Sequence, residues 1–180
     1  MMKFAFLLIE PGQSPENYSG TYENKESFNL VAGFDALEDV KEYAGKLAEE
    51  GYNLINLCGE FDDEYTAQLQ EITGSDVKVY HADYTPEELV KIEAVSTINK
   101  YGVIIVMSGV EDPEEVVLSN NGSYAKAIFV KDQEQANEAA KQLTAEGMDD
   151  IELCSWFDAE KTQKVIEAIG GSVPVGSCGI

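Results

Sequence analysis

The stretch Ile55-Asn56-Leu57-Cys58-Gly59-Glu60-Phe61 returns later as Ile151-Glu152-Leu153-Cys154-Ser155-Trp156-Phe157. The echo extends in both directions. Phe34–Ala82 lies on Val130–Cys178 without a gap, pairing Glu50 with Glu146, Gly51 with Gly147, Asp62 with Asp158, Gly74 with Gly170, Val77 with Val173 and Val79 with Val175. Upstream, after a small shift, Ser14-Pro15-Glu16 meets Asp112-Pro113-Glu114, and Phe4–Ile9 meets the apolar run Val103–Met107. Such a chain folds one unit twice. Two copies are too few for a solenoid, which needs about three or more units, so the expected arrangement is an intramolecular pseudo-dimer. The copies are read as residues 1–84 and 100–180, with a connecting helix at 85–99.

Each copy scans alike. An apolar run, Phe4–Ile9 or Val103–Met107, reads as a buried strand. An irregular stretch of Gly, Asn, Ser and Pro follows, then a second strand, Phe28–Ala32 or Ala125–Val130. Ala36–Glu50 places Leu37, Val40, Ala44 and Leu47 on one helical face, and Gly51 stands where a helix stops. Its counterpart, Gln133–Glu146, carries Ala136, Ala140 and Leu143 and stops at Gly147, with Asp35 and Asp132 as expected N-caps. A third strand, Leu54–Cys58 or Ile151–Cys154, a second helix, Asp62–Thr73 or Asp158–Ile169, and a last strand, Val77–Tyr80 or Val173–Val175, complete each copy. The order β-β-α-β-α-β with short loops and continuous apolar strands predicts an α/β fold, two repeats of a mainly parallel sheet covered by helices. Between them, Thr85 and Glu88 form a capping box reinforced by Pro86, opening a helix to about Ile98.

The charge balance restricts partners. The chain of 180 residues carries 34 acidic against 12 basic residues, a net charge of -22, and the basic residues are all lysine. That excludes the positive face which nucleic acid or an anionic membrane requires. Phe4–Ile9 is shorter than the about 7–15 apolar residues of a secretory segment and is closed by Glu10 and Pro11. The expected location is the cytoplasm. There the sequons at Asn17 and Asn121 have no consequence, and the odd set Cys58, Cys154 and Cys178 stays reduced.

In open α/β sheets ligands sit beyond the carboxyl ends of strands. Cys58-Gly59-Glu60 and Cys154-Ser155-Trp156 fall at that point, before a helix whose N-terminal amides favour anions. Two readings follow for the repeated thiol. It is a small buried apolar group, the commoner fate of free cysteine, or it is a reactive or anchoring group facing a crevice. Glu60, Asp62 and Asp63 oppose a thiolate. The only histidine, His81, pairs with Cys58 if their strands are neighbours, and it matches Ser177 beside Cys178 in the other copy. Cys154 and Cys178 both lie at strand ends, where they can meet. Glu10 ends the first strand of the first copy, and Trp156 stands at a crevice rim or in the interface between copies. Cys58, Glu60, Asp62, Asp63, His81 and Asp83 include metal-ligand types, but their spacing fits no zinc signature. No cofactor motif is present.

The run Glu146-Gly147 to Ile151-Glu152-Leu153-Cys154 and Phe157, followed by Gly170-Gly171-Ser172-Val173-Pro174-Val175-Gly176, resembles a small bacterial family of about one hundred residues known only as a domain of unknown function. Its members read G-(V/I)-x-L-I-E-L-C-G-G-F and then G-G-x-V-P-V-G. The first copy keeps Gly51, Ile55, Leu57, Cys58, Gly59 and Phe61 but ends Gly74-Ser75-Asp76-Val77-Lys78-Val79. The family's early loop often reads D-P-x-x-H; neither copy has that histidine. The resemblance implies a fold and names no activity. The function expected is a non-catalytic module that binds a small molecule or assembles, further self-association included. The alternative is a cysteine-dependent enzyme acting on a small metabolite.

Overall fold

A computed structural model describes all residues from Met1 to Ile180. The first copy runs β1 (Met2–Ile9), β2 (Ser19–Glu23), β3 (Ser27–Phe34), α1 (Leu37–Glu49), β4 (Leu54–Leu57), α2 (Asp63–Thr73) and β5 (Lys78–His81). After α3 (Pro86–Ala94), the second runs β6 (Lys100–Val106), β7 (Glu114–Asn120), β8 (Ser123–Val130), α4 (Gln133–Ala145), β9 (Asp150–Leu153), α5 (Ala159–Ala168) and β10 (Val175–Ser177). Each copy forms its own sheet, in the orders β2-β3-β1-β4-β5 and β10-β9-β6-β8-β7. All pairings are parallel except β2 with β3 and β7 with β8. The central strands are apolar on both faces because helices cover the sheets. One continuous cluster of buried apolar side chains takes in both copies.

Four expectations need correction. The irregular stretch in each copy holds an extra antiparallel strand, β2 or β7. In the second copy, Asn121-Gly122 is the turn between β7 and β8, both residues at positive φ, 49° and 86°. This is the Asn-Gly pattern of a two-residue hairpin, whose twist suits strands. Asp35 does not cap α1. Its carboxylate accepts from the Gly12 amide, and Ala36 occupies the cap without a side-chain bond. Helix α3 stops at Ala94, four residues early, where Val95 turns extended; Val95 and Thr97 are β-branched and poor helix formers. Thr85 does accept from the Glu88 amide, but the Glu88 side chain turns away from the cap. It accepts from the Val175 amide at 2.9 Å and from Lys91, tying α3 to the edge strand β10. By contrast Asp62, Asp132 and Asp158 cap α2, α4 and α5.

The copies pack reciprocally, as a twofold relation demands. The turn after β2 brings the Asn24 amide to the Ser108 carbonyl at the end of β6, 3.0 Å away. The turn after β7 brings Ser123 Oγ to Glu10 at the end of β1, 2.8 Å away, and Asn120 to Gln13. Between them β2 lies on β7. A Cβ on Gly20 would stand 2.5 Å from Val116, so only glycine permits this approach. The Tyr22 ring packs on Phe129 at 5.0 Å.

Candidate functional site

The repeated cysteine is a packing element in both copies. Cys58 follows β4 and its Sγ accepts from the Ile9 amide at 3.4 Å; Cys154 follows β9 and accepts from the Val106 amide at 3.4 Å. Each thiol thus closes the end of the neighbouring first strand. They are 4% and 3% exposed. Burial, with Glu152 adding to it, pushes the Cys58 thiol well above its ordinary range; burial takes Cys154 up to about 11. Both shifts oppose a thiolate at neutral pH.

The next position separates the two junctions. Asn56 in β4 and Glu152 in β9 are equivalent, and each reaches the other copy. Asn56 Oδ1 accepts from the Ser155 amide at 2.8 Å, and its Nδ2 donates to Ser155 Oγ at 3.1 Å. Glu152 approaches Gly59, the counterpart of Ser155. A Cβ there would stand 3.1 Å from Glu152 Oε2. This oxygen is buried without a well-formed hydrogen bond, and the Gly59 amide lies near the carboxyl group. Glu152 Oε1 accepts from the Tyr101 hydroxyl. Two residues earlier, Asp150 Oδ2 accepts from Tyr84 at 2.7 Å, while its Oδ1 is buried without a partner. Both acids are 2% exposed.

These groups line a half-enclosed cavity of about 580 Å³ between the copies. Leu8, Ile9 and Pro11 give it one apolar wall; Leu89 and Ile92 of α3, with Val95 and Ile98 beyond it, give another. Glu10 and Glu60 complete a set of four acids, and no Lys or His lines it. A wider groove over α4 is bounded by Glu134, Glu138 and Lys141, all exposed. Tyr84 is held between glycines: a Cβ on Gly59 would stand 2.9 Å from its ring and one on Gly176 2.6 Å. The final glycine of the G-G-x-V-P-V-G run therefore makes room for the tyrosine that orients Asp150.

Burial raises Asp150 to about 7, against the pull of the Tyr84 hydroxyl; Glu88 and Asp149 add to the rise. Burial and then Asp150 hold Glu152 well above the usual carboxylate range, while the Tyr101 hydroxyl and the nearby Gly59 amide pull it down. Burial therefore favours the protonated form of both acids in the absence of a compensating charge.

Of the candidate residues, Glu10, Cys58, Gly59 and Glu60 line this cavity; Cys154, Ser155, Trp156, His81 and Cys178 do not. His81 sits beside Leu57 in the sheet register, but its ring bonds Asp63 at 2.8 Å and the Ala82 carbonyl at 3.1 Å, not Cys58. Trp156 is 38% exposed on its own copy, edge-on to Phe157 and beneath Lys161. All three cysteines are free, and the Cys178 thiol donates to the Leu57 carbonyl of the first copy at 3.5 Å rather than meeting Cys154. No group of three His, Cys, Asp or Glu side chains converges as a metal site needs. Tyr84, Tyr101 and Asp150 were not anticipated. The available signal was the small residues Gly59 and Gly176, which mark close approach.

Fold and site together define a duplicated α/β protein with a cavity at one of two equivalent junctions. The family of unknown function DUF6506 matches twice, over residues 2–97 and 99–180, and the chain belongs to it. No curated protein matches the sequence. Among solved structures, a conserved domain protein from Vibrio cholerae O1 biovar El Tor strain N16961 is similar at 14% identity and a TM-score of 0.33, over 97% of this chain and 73% of its own. An ABC transporter periplasmic solute binding protein from Actinobacillus succinogenes 130z, with bound D-allose, aligns at 12% identity and a TM-score of 0.31, over 97% of this chain and 77% of its own. A carbohydrate transporter from Acidothermus cellulolyticus 11B, in complex with myo-inositol, aligns at 9% and 0.34, over 98% and 73%. No helix is long and apolar enough to cross a membrane.

Proposed function

We propose that this protein binds a small molecule in the cavity between its copies, without transforming it. The observation that carries the reading is that Asp150 and Glu152, both on the wall of that space, each keep one buried oxygen without a partner, Oδ1 and Oε2. An unsatisfied buried acceptor costs about 1–3 kcal/mol, and native proteins keep few of them. Two at one cavity of ligand size, which runs about 300–1,000 Å³, support a partner that supplies the missing donors. Binding is favoured over catalysis because Cys58, the one cysteine on the wall, is held as a thiol, and His81 is directed elsewhere. Three free buried cysteines support a reducing, cytoplasmic setting.

A thermal-shift screen against a metabolite panel tests this. A binder at one hundred times its Kd stabilises by about 2.7 kcal/mol, a Tm rise of roughly 5–10 °C for a chain of this size. The rise should vanish in Ile92→Trp, which fills the cavity. A panel without a binder, or one whose binders ignore Ile92→Trp, overturns the reading.

A further inference from the structure

We propose that the ligand is a small organic cation, an ammonium on an apolar carbon frame, with its N–H groups set against Asp150 and Glu152. This rests on the ligand-binding reading and narrows it. The two wall residues that keep an unpartnered oxygen, Asp150 and Glu152, are both carboxyl groups, which in their ionised form only accept. The tyrosine hydroxyls are already spent, Tyr84 on Asp150 and Tyr101 on Glu152. The occupant must therefore bring donors. Positive charge is favoured, because four acids line the space, no basic side chain does, and a cation draws the buried pair into its ionised form. An anion finds no basic side chain there to offset Glu10 and Glu60. A bare divalent ion lacks a third converging ligand and gains nothing from the apolar walls of Leu8, Ile9, Leu89, Ile92, Val95 and Ile98. A carbon frame covers those walls. Charge-assisted bonds to two desolvated carboxylates are the strong kind.

Proton accounting follows. Burial favours the protonated form of the pair, and Glu60, Glu88, Asp149 and Cys58 bring no positive charge against it. An ammonium displaces these protons, so binding releases them and strengthens as pH rises through about 7.

The experiment is calorimetric titration of the intact protein with matched pairs: cyclohexylamine and cyclohexanol, phenethylamine and phenethyl alcohol, cadaverine and pentane-1,5-diol. Buffers of different ionisation enthalpy report proton release. The expected result is saturable binding of at least one amine, about tenfold or more above its alcohol, with protons released. Glu152→Gln should lose about tenfold of that affinity at pH 8 while keeping its circular dichroism. Asp150→Asn and Tyr101→Phe give the same comparison if Glu152→Gln folds poorly. An alcohol that binds as well as its amine, or amine binding without proton release, overturns the cation while leaving the cavity a ligand site. Silence from these probes alongside binders in the metabolite panel also sinks the cation; silence from both sinks the two readings together.

Discussion

Asn56 and Glu152 hold the same place in two copies of one fold, yet one closes its junction and the other leaves it open. Asn56 can donate and accept, and it meets a residue that offers both an amide and a hydroxyl, Ser155. Glu152 brings a carboxyl group in place of an amide, and it meets Gly59, which has no side chain to answer it. The backbone frame is shared; the chemistry is not. Two separate chains in a symmetric dimer must make both junctions alike. Fusion removes that constraint. One junction then serves as the seam and the other, with Tyr84 wedged beside it, becomes a cavity.

The sharpest way to break this comparison is pH. A carboxyl whose pKa rises on folding takes up a proton in the folded state. Its stability contribution is complete below the ordinary value, near pH 4, and is lost as pH climbs through the folded value, about 7 for Asp150. Asp150→Asn or Glu152→Gln should therefore gain stability relative to wild type above pH 7, on the order of 2–4 kcal/mol, and little at pH 4. Urea unfolding at several pH values checks this; a gain independent of pH contradicts it. Next in size, Gly176→Val should cost about 3 kcal/mol by driving a side chain into Tyr84, and Tyr84→Ala should recover much of it. The matching residue of the first copy, Tyr80, is exposed, and Tyr80→Ala should change stability by under about 1 kcal/mol. Asn56→Ala should cost about 2 kcal/mol at every pH, since it unbonds the Ser155 amide without touching an ionisable group. Smallest, Cys58→Ala and Cys154→Ala should each cost about 1 kcal/mol and by similar amounts. Both native thiols should alkylate slowly at neutral pH; rapid labelling at Cys58 would restore the cysteine-dependent enzyme.

The duplication, the helices and the parallel strands were legible because each rests on local pattern: apolar period, the cap at Asp132 and the stop at Gly147. Strand β2, Ser19-Gly20-Thr21-Tyr22-Glu23, escaped because an edge strand half in solvent needs no apolar run. For β7 the Asn121-Gly122 turn was in plain view but was read only as a sequon. The cysteines were singled out correctly as equivalent, and the weighting toward burial matches their surroundings. The cavity was hidden for a different reason. Asp150 opens β9, one residue before the apolar run begins, and its partner Tyr84 and the cavity wall of α3 come from far away in the chain. Pairing across a pseudo-dimer leaves no local periodicity to read.

The claim at the centre is that one junction keeps unpaired acids and the other does not. Carboxyl carbon-13 NMR across pH 3 to 9, with Asp150→Asn and Glu152→Gln to assign the signals, measures it directly. The expected result is an Asp150 signal titrating near 7 and a Glu152 signal displaced upward beside it, both absent from the respective variants. Should every carboxyl finish titrating in the ordinary range, about pH 3.5–5, the acids are solvated and the open junction is no binding site.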